Sequence, residues 1–282
     1  MKKTLLPVLL SVLLLNNATG QISMPQPSPA AVVSQNVGLG KMTIEYSRPA
    51  LKGRTILGSS LAPFGQVWRT GANKIPNLIL SQDMLINGTK VAAGTYGLAT
   101  IPDATEWTII INKDPNQWGT YGYKQELDVL RFKVKAETLT NRVEYFTIDV
   151  SDFSGSEANV AIRWENTQVK FNVKQETDAL IMAEIKEKTA AVKVENDTYF
   201  DAANYYYDTN RDLKQAFEWA NKVVANDQKY WTYYLRAKIA AKMGNCPVAI
   251  QDAEKGLEMA KQAKDGAYVT NHTKVLKDCG KE

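Results

Sequence analysis

The chain has 282 residues, of which 44% are hydrophobic and 23% are charged, and its formal net charge is +4 at pH 7. A chain of this length can bury one large or two modest hydrophobic cores. The small net charge argues against a nucleic-acid partner, because binding to phosphates needs a basic face. The single histidine, His272, excludes a zinc site built from several histidines and a histidine-dependent nucleophile elsewhere in the chain. The sequence therefore predicts a folded protein with no cofactor.

Residues 1–20 have the pattern of a secretory signal peptide. Two lysines precede an almost wholly apolar run over residues 5–15, and small residues then offer a cleavage site before Gln21. The run is too short for a membrane-spanning helix, and no later segment approaches eighteen consecutive apolar residues. We therefore expect a soluble periplasmic or secreted protein, without a membrane span, that begins with a flexible segment over residues 21–31.

Residues 32–175 alternate between apolar and polar side chains with a period of two, which predicts about eight to ten short antiparallel strands. The pair Asn87-Gly88 is a strong hairpin signal, because both turn positions need a positive φ. The pair Glu165-Asn166 predicts a second tight turn between two strands. We expect an antiparallel β-sandwich of the jelly-roll type, with a closed barrel as the alternative, since the number of strands does not determine closure.

Residues 176–282 change to helical spacing, so the fold class is a two-domain α+β protein. A repeat of about 33 residues matches Phe200 with Tyr233 and Ala216 with Ala249, as in tetratricopeptide-like repeats, whose paired helices approach each other at small residues. We expect the aromatic residues of these repeats to pack between helices. The alternative is a peptide-binding groove, which leaves a protein partner open.

The two cysteines, Cys246 and Cys279, both lie near the C-terminus. The last helix is predicted over residues 266–278, antiparallel to a helix that begins near Pro247. This arrangement brings the cysteines to the same end of a helical hairpin. Because exported proteins fold in oxidising compartments, we predict a disulfide, with two free thiols as the alternative.

Cationic and aromatic side chains are concentrated in the turn-rich segment 47–74. Guanidinium groups on a loop held by burial are pre-organised to bind carboxylate, phosphate or sulfate, and an indole ring offers a stacking face for a sugar. The predicted ligand-binding residues are Arg48, Lys52, Arg54, Trp68, Arg69 and Asn73. The alternative is an architectural role, in which the arginines form internal salt bridges with Glu45, Asp83 or Asp149.

The same segment resembles a known family. The runs Arg-Pro, Lys-Gly-Arg, Phe-Gly, Trp-Arg-Thr-Gly-Ala-Asn and Ala-Gly-Thr-Tyr, within residues 32–174, are similar to those of the secreted bacterial family called domain of unknown function 2911. The resemblance implies export, a β-rich fold, helical repeats after the domain in some members and an origin in Bacteroidota-like bacteria. It implies no particular reaction or ligand. Phe64 stands where Tyr is common in the family, and Lys74 stands where Glu is expected.

The loop at residues 112–128 is long and polar, and it carries Trp118, Tyr121 and Tyr123. Loops of this composition bind carbohydrate by ring stacking or fold onto the sheet, and the sequence leaves both interpretations open.

Acidic residues supply weaker candidates. One group lies in a segment that resembles part of a calcium loop but lacks its full ligand pattern, so we interpret it as a solvated turn. This group comprises Asp149, Asp152 and Glu157. A second group follows or precedes strands and would suit a pair of glycosidase carboxylates if two members were close in space. That group comprises Asp103, Glu106 and Asp114.

The function predicted from the sequence is non-enzymatic binding of a small anionic or polyhydroxylated ligand by the cationic loop, with the helices as a scaffold. A carboxylate-dependent hydrolase acting on envelope glycans or esters is one alternative. A purely structural or interaction protein is the other.

Overall fold

The computed structural model describes residues 24–281, so the predicted signal peptide lies outside the described residues. The chain divides into two compact units, with the boundary between Gln175 and Glu176. The first is an antiparallel β-sheet and the second is helical, which confirms the α+β class. Among residues 24–281, no helix combines the length and the apolar character needed to cross a membrane.

The described part of the first unit contains nine strands, which agrees with the predicted eight to ten. They are β1 (Ala30–Val37), β2 (Gly40–Ser47), β3 (Asn77–Leu80), β4 (Met84–Ile86), β5 (Thr89–Val91), β6 (Gly94–Ile101), β7 (Glu106–Asn112), β8 (Asp128–Ser154) and β9 (Glu157–Lys174). Their order in the sheet is β1-β2-β3-β6-β7-β8-β9-β4-β5, and every neighbouring pair is antiparallel. Strand β1 begins at Ala30, two residues before the predicted start of the β-rich region.

The period-two pattern determines which side chains enter the core. In β2, Met42, Ile44 and Tyr46 are buried in alternation with more exposed neighbours. The predicted hairpin at Asn87-Gly88 is confirmed, because it joins β4 to β5 and both residues have positive φ, 47° and 81°.

The predicted turn at Glu165-Asn166 is wrong. Strand β9 runs through this pair without ending. Glu165 does have a positive φ of 53°, but it lies opposite Val143, where the pairing of β8 with β9 changes register. Such a bulge bends a strand without reversing it. The chain reverses instead at Gly155, between β8 and β9.

The second unit consists of six helices in the described part of the chain. They are α1 (Asp178–Thr189), α2 (Asn196–Asp208), α3 (Leu213–Asn226), α4 (Tyr230–Lys242), α5 (Cys246–Gln262) and α6 (Gly266–Asp278). The last helix has the predicted bounds. Ala216 in α3 and Ala249 in α5, which the repeat aligns, are both fully buried. Cys246 and Cys279 form a disulfide, with their Cα atoms 5.4 Å apart, and it links the start of α5 to the end of α6.

His272 of α6 is fully buried and packs against Tyr230 of α4 and Gly256 of α5. Its Nε2 bonds to the backbone carbonyl of Tyr230 at 2.9 Å, and since a carbonyl only accepts, Nε2 carries the proton. Nδ1 is buried and has no hydrogen-bond partner among the described residues. Burial lowers the pKa of His272 below its usual value, although the hydrogen bond to Tyr230 and the charge of Asp252 oppose the effect.

This environment predicts an acid-sensitive helical unit. The unfolded chain binds a proton at His272 below about pH 6.5, and the folded chain does not until the pH falls through the lower folded pKa. The free energy of unfolding should thus decrease on acidification between these two values, by at most about 1.4 kcal/mol per pH unit. Urea denaturation between about pH 7 and pH 5 would measure the slope. His272→Asn should flatten it, and an equal slope in the variant would contradict the assignment.

Candidate functional site

Segment 47–74 is attached to the sheet at Trp68. The Trp68 amide donates to the carbonyl of Thr100 at 2.7 Å, and the Thr100 amide donates back to the carbonyl of Trp68 at 3.0 Å. The Trp68 ring is only 4% exposed and lies inside the aromatic core. Its predicted role as a stacking face for a sugar is therefore wrong, because the ring is buried and stacks on Trp164.

The chain turns sharply after Trp68, which determines where Arg69 points. Thr70 and Gly71 both have positive φ, 61° and 123°. The buried hydroxyl of Thr70 lies 3.0 Å from that of Thr100, which holds the turn on the sheet. An added Cβ at Gly71 would lie 3.1 Å from the carbonyl oxygen of Ser47, so this position requires glycine.

Arg48 and Arg54 are used for architecture, through carbonyl groups. Arg48 Nε donates to the carbonyl of Phe146 at 3.2 Å, and its Nη2 donates to the hydroxyl of Thr147 at 2.8 Å. Arg54 donates within its own turn, to the carbonyls of Leu51 and Ala50 at 2.9 and 3.0 Å. These hydrogen bonds fix the loop to itself and to strand β8.

The salt bridges predicted between these arginines and Glu45, Asp83 or Asp149 do not form among the described residues. Asp83 pairs with Lys90, at 3.1 Å, and Asp149 pairs with Arg163, at 3.5 Å. None of the ion pairs found within residues 24–281 includes an arginine of segment 47–74.

Lys52 and Asn73 do not line the cleft that Arg69 borders. Lys52 is exposed, with its amide bonded to the carboxylate of Glu144 at 2.8 Å. The Asn73 amide group bonds to the hydroxyl of Ser47 at 3.2 Å and so ties the loop to the end of β2. The predicted set of six residues does not converge, since only Trp68 and Arg69 border the same cleft.

Arg69 borders a surface cleft of about 290 Å³. The lining comes from two loops, and it is mostly polar and uncharged apart from Arg69. It consists of Ser60, Leu61, Pro63, Gln66, Val67, Trp68, Arg69, Gly119, Thr120 and Tyr121. Arg69 is half-buried, and its one intramolecular hydrogen bond within the described chain is long, 3.4 Å from Nε to the carbonyl of Gly71. The guanidinium therefore retains unused donors beside the cleft.

The second loop brings aromatic rings to Arg69. Two backbone hydrogen bonds join this loop to the end of segment 47–74 and the residue after it. The Ile75 amide donates to the Gln117 carbonyl at 3.0 Å, and the Gly119 amide donates to the Asn73 carbonyl at 3.3 Å. A Cβ at Gly119 would lie 3.6 Å from Arg69 Nη1 and 3.3 Å from the Tyr121 ring, so the two side chains flank this glycine. Tyr121 is 98% exposed.

Part of this loop folds onto the sheet, as one of the two interpretations predicted. Tyr123 folds onto the sheet, where its hydroxyl donates to Asp128 at 2.7 Å and accepts from Arg131 at 2.6 Å. Burial and the hydrogen bond to Asp128 raise the pKa of Tyr123. Tyr121 and Trp118 remain exposed. The sequence identified the loop as a candidate, but its contact with Arg69 has no signal in the sequence.

The acidic residues do not form a site. Asp152 pairs with Lys170 at 2.9 Å, and Glu106 pairs with Lys133 at 2.7 Å. No group of three potential metal ligands occurs in the described part of the chain. The described residues that line the Arg69 cleft include no Asp or Glu.

The fold and the cleft define the class: a protein with an N-terminal antiparallel sheet, an arginine-bordered cleft on that sheet and a C-terminal helical unit. Residues 28–173 match the family model described as Protein of unknown function (DUF2911). Because the match covers more than half of the chain, the protein belongs to this family. The search of curated proteins found no match, and neither did the search of solved structures.

Proposed function

We propose that the protein is an exported binding module that recognises a small anionic or polyhydroxylated ligand in the Arg69 cleft. The observation that carries the proposal is the half-buried guanidinium of Arg69, which borders a cleft and makes no ion pair with a described residue. A partly desolvated cation without a carboxylate partner binds an external oxyanion more strongly than a fully hydrated one does.

The rest of the lining suits a ligand with several oxygen atoms. Ser60 and Thr120 offer hydroxyl groups, and Gln66 offers an amide. The exposed ring of Tyr121 provides the apolar face on which a sugar ring stacks, a role that the sequence assigned to Trp68. The combination favours a sugar acid or a phosphorylated sugar over an apolar ligand.

The carboxylate-dependent hydrolase receives no support from this cleft, whose described lining lacks both members of the required pair. We therefore retain binding as the proposed activity, with the helical unit as the scaffold or the docking element for a protein partner. Export to the periplasm or the outside of the cell is part of the proposal, and it rests on the signal-peptide pattern of residues 1–20.

Finer features of the fold belong to the same proposal. We propose that the sheet is a β-sandwich, which the bond from the Tyr46 hydroxyl to the Ile148 carbonyl supports, 3.0 Å long, since it joins β2 to β8 although the two strands are not neighbours in the sheet. We also propose that α2–α5 are two tetratricopeptide-like repeats, supported by the buried alanines that recur at Ala216 and Ala249.

The test is a thermal-shift and calorimetric screen of the protein against phosphate, sugar acids and neutral oligosaccharides, because a ligand that binds the folded state raises its apparent stability. For a ligand that binds, Arg69→Gln should weaken the affinity about tenfold or more, by loss of a charged hydrogen bond. Tyr121→Ala should weaken sugar binding more than phosphate binding.

The matched control is Arg54→Gln, since Arg54 carries the same charge on the same segment but bonds within its own turn and does not border the cleft. It should leave affinity unchanged. If Arg54→Gln weakens binding as much as Arg69→Gln does, or if no compound in the screen binds, the proposed site is wrong.

A further inference from the structure

We propose that the helical unit contains a separate oxyanion site, formed by Lys238, Lys242 and Lys274, for a small ligand that carries a phosphate or carboxylate group. The three lysines border a cavity of about 360 Å³ together with Tyr207 and Tyr234. This volume is within the range of small-molecule sites.

Lys238 is the central group of this oxyanion site. Its Nζ lies 4.4 Å from the centre of the Tyr207 ring and 5.6 Å from that of Tyr234. The rings contact the cation by their faces but supply no negative charge. Burial is the largest cause that lowers the pKa of Lys238; the charge of Asp208 raises it, and the neighbouring Lys242 lowers it. The cation is thus partly desolvated and forms no ion pair with a described residue.

Lys242 approaches the same ring. Its Nζ lies 4.4 Å from the Tyr207 centre and donates to the Tyr207 carbonyl at 2.9 Å. Two ammonium groups therefore lie against the same aromatic ring, where Lys242 disfavours the charge of Lys238. An oxyanion placed between them would remove this repulsion and accept a hydrogen bond from each.

Lys274 completes the lining from α6, where it is exposed. The lining also includes Asp278, and the charge of Asp208 acts on Lys238. Neither aspartate forms an ion pair with any of the three lysines in the described chain, and three cations outnumber two carboxylates. The cavity therefore keeps net positive charge, although the protein as a whole is almost neutral.

The test is isothermal titration calorimetry of the full chain with inorganic phosphate and with succinate, at constant ionic strength. The chain should bind at least one of the two. Lys238→Met keeps an unbranched side chain, one atom shorter, beside the Tyr207 ring but removes the charge, and we expect the affinity to fall about tenfold or more. Lys274→Ala tests the same site from an exposed position that folding does not require.

The matched control is Lys255→Met. The Lys255 ammonium also lies on a tyrosine face, 4.7 Å from the centre of Tyr233, but it does not border the oxyanion site. The Lys255→Met variant should bind phosphate and succinate as the unmodified chain does. Arg69→Gln should leave unchanged the binding that Lys238→Met weakens, which separates this site from any phosphate bound independently in the cleft of the β unit.

Binding of phosphate alone would assign the site to a phosphoester, binding of succinate alone to a carboxylate, and binding of both to oxyanions in general. Each result supports the proposal if Lys238→Met and Lys274→Ala weaken the binding. Absence of binding for both probes would overturn it. Equal weakening by Lys255→Met would overturn it too, because the binding would then be a general effect of surface charge.

Discussion

Trp68→Ala is expected to lower the free energy of unfolding of the β unit by about 3–5 kcal/mol, the usual loss for a buried tryptophan. The ring stacks on Trp164, with centroids 5.9 Å apart and planes inclined by 9°. It also meets Phe146 at 5.6 Å and Trp107 at 6.2 Å, both edge to face. Removal of the ring leaves a cavity among three aromatic side chains that are fixed by strands. Differential scanning calorimetry would measure the change without relying on tryptophan emission.

The matched control is Trp118→Ala, because Trp118 is 65% exposed and belongs to the loop that borders the Arg69 cleft. Its substitution should change the free energy of unfolding by less than about 0.5 kcal/mol. The opposite pattern, with Trp68→Ala stable but unable to bind ligand, would restore the role in stacking that the sequence suggested for Trp68 and would contradict the packing described above.

Asp252→Ala is expected to lower the free energy of unfolding of the helical unit by about 3 kcal/mol. The carboxylate is 2% exposed and accepts two hydrogen bonds from Arg236, at 2.6 and 2.7 Å. The alanine leaves the guanidinium against a buried surface with only Asn221 as a side-chain acceptor, 3.1 Å from Nη1. We expect a loss at the lower end of the usual range for breaking a buried ion pair, because Arg236 keeps 22% of its side chain exposed. Urea denaturation would measure the loss.

Glu254→Ala provides the control on the same helix. Glu254 pairs with Lys281, but both side chains are about half exposed, so the pair contributes at most about 1 kcal/mol. The double variant Arg236→Met with Asp252→Leu should recover much of the stability, because it removes both charges together. If Asp252→Ala costs no more than Glu254→Ala, the buried pair does not stabilise the helical unit.

Much of the fold could be predicted from the sequence, because local patterns determine it. The period-two alternation places Met42 and Ile44 on the buried face of β2, and the Asn87-Gly88 pair makes the predicted hairpin. The prediction failed at Glu165-Asn166, which the sequence indicated as a tight turn. Glu165 does have a positive φ, as a turn residue can. Whether such a residue reverses the chain or only bends it depends on the partner strand, and β8 continues to pair on both sides of it.

The candidate site could be predicted only in part. Composition identified two candidate segments, residues 47–74 and residues 112–128. Their contact beside Gly119 is a property of the folded chain. Arg48 and Arg69 look alike in the sequence. The structure distinguishes them by the hydrogen-bond acceptors that the fold brings near each guanidinium.

The sequence by itself determined the strand and helix periods, the change from one to the other near Gln175 and the signature that assigns the family. These features depend on residues close together along the chain. Only the tertiary structure decided that Trp68 is a core residue, that Arg48 and Arg54 bind carbonyls and that Arg69 borders a cleft with Tyr121. The physical reason is that burial and hydrogen-bond satisfaction are properties of the assembled surroundings, which come from residues distant in the chain.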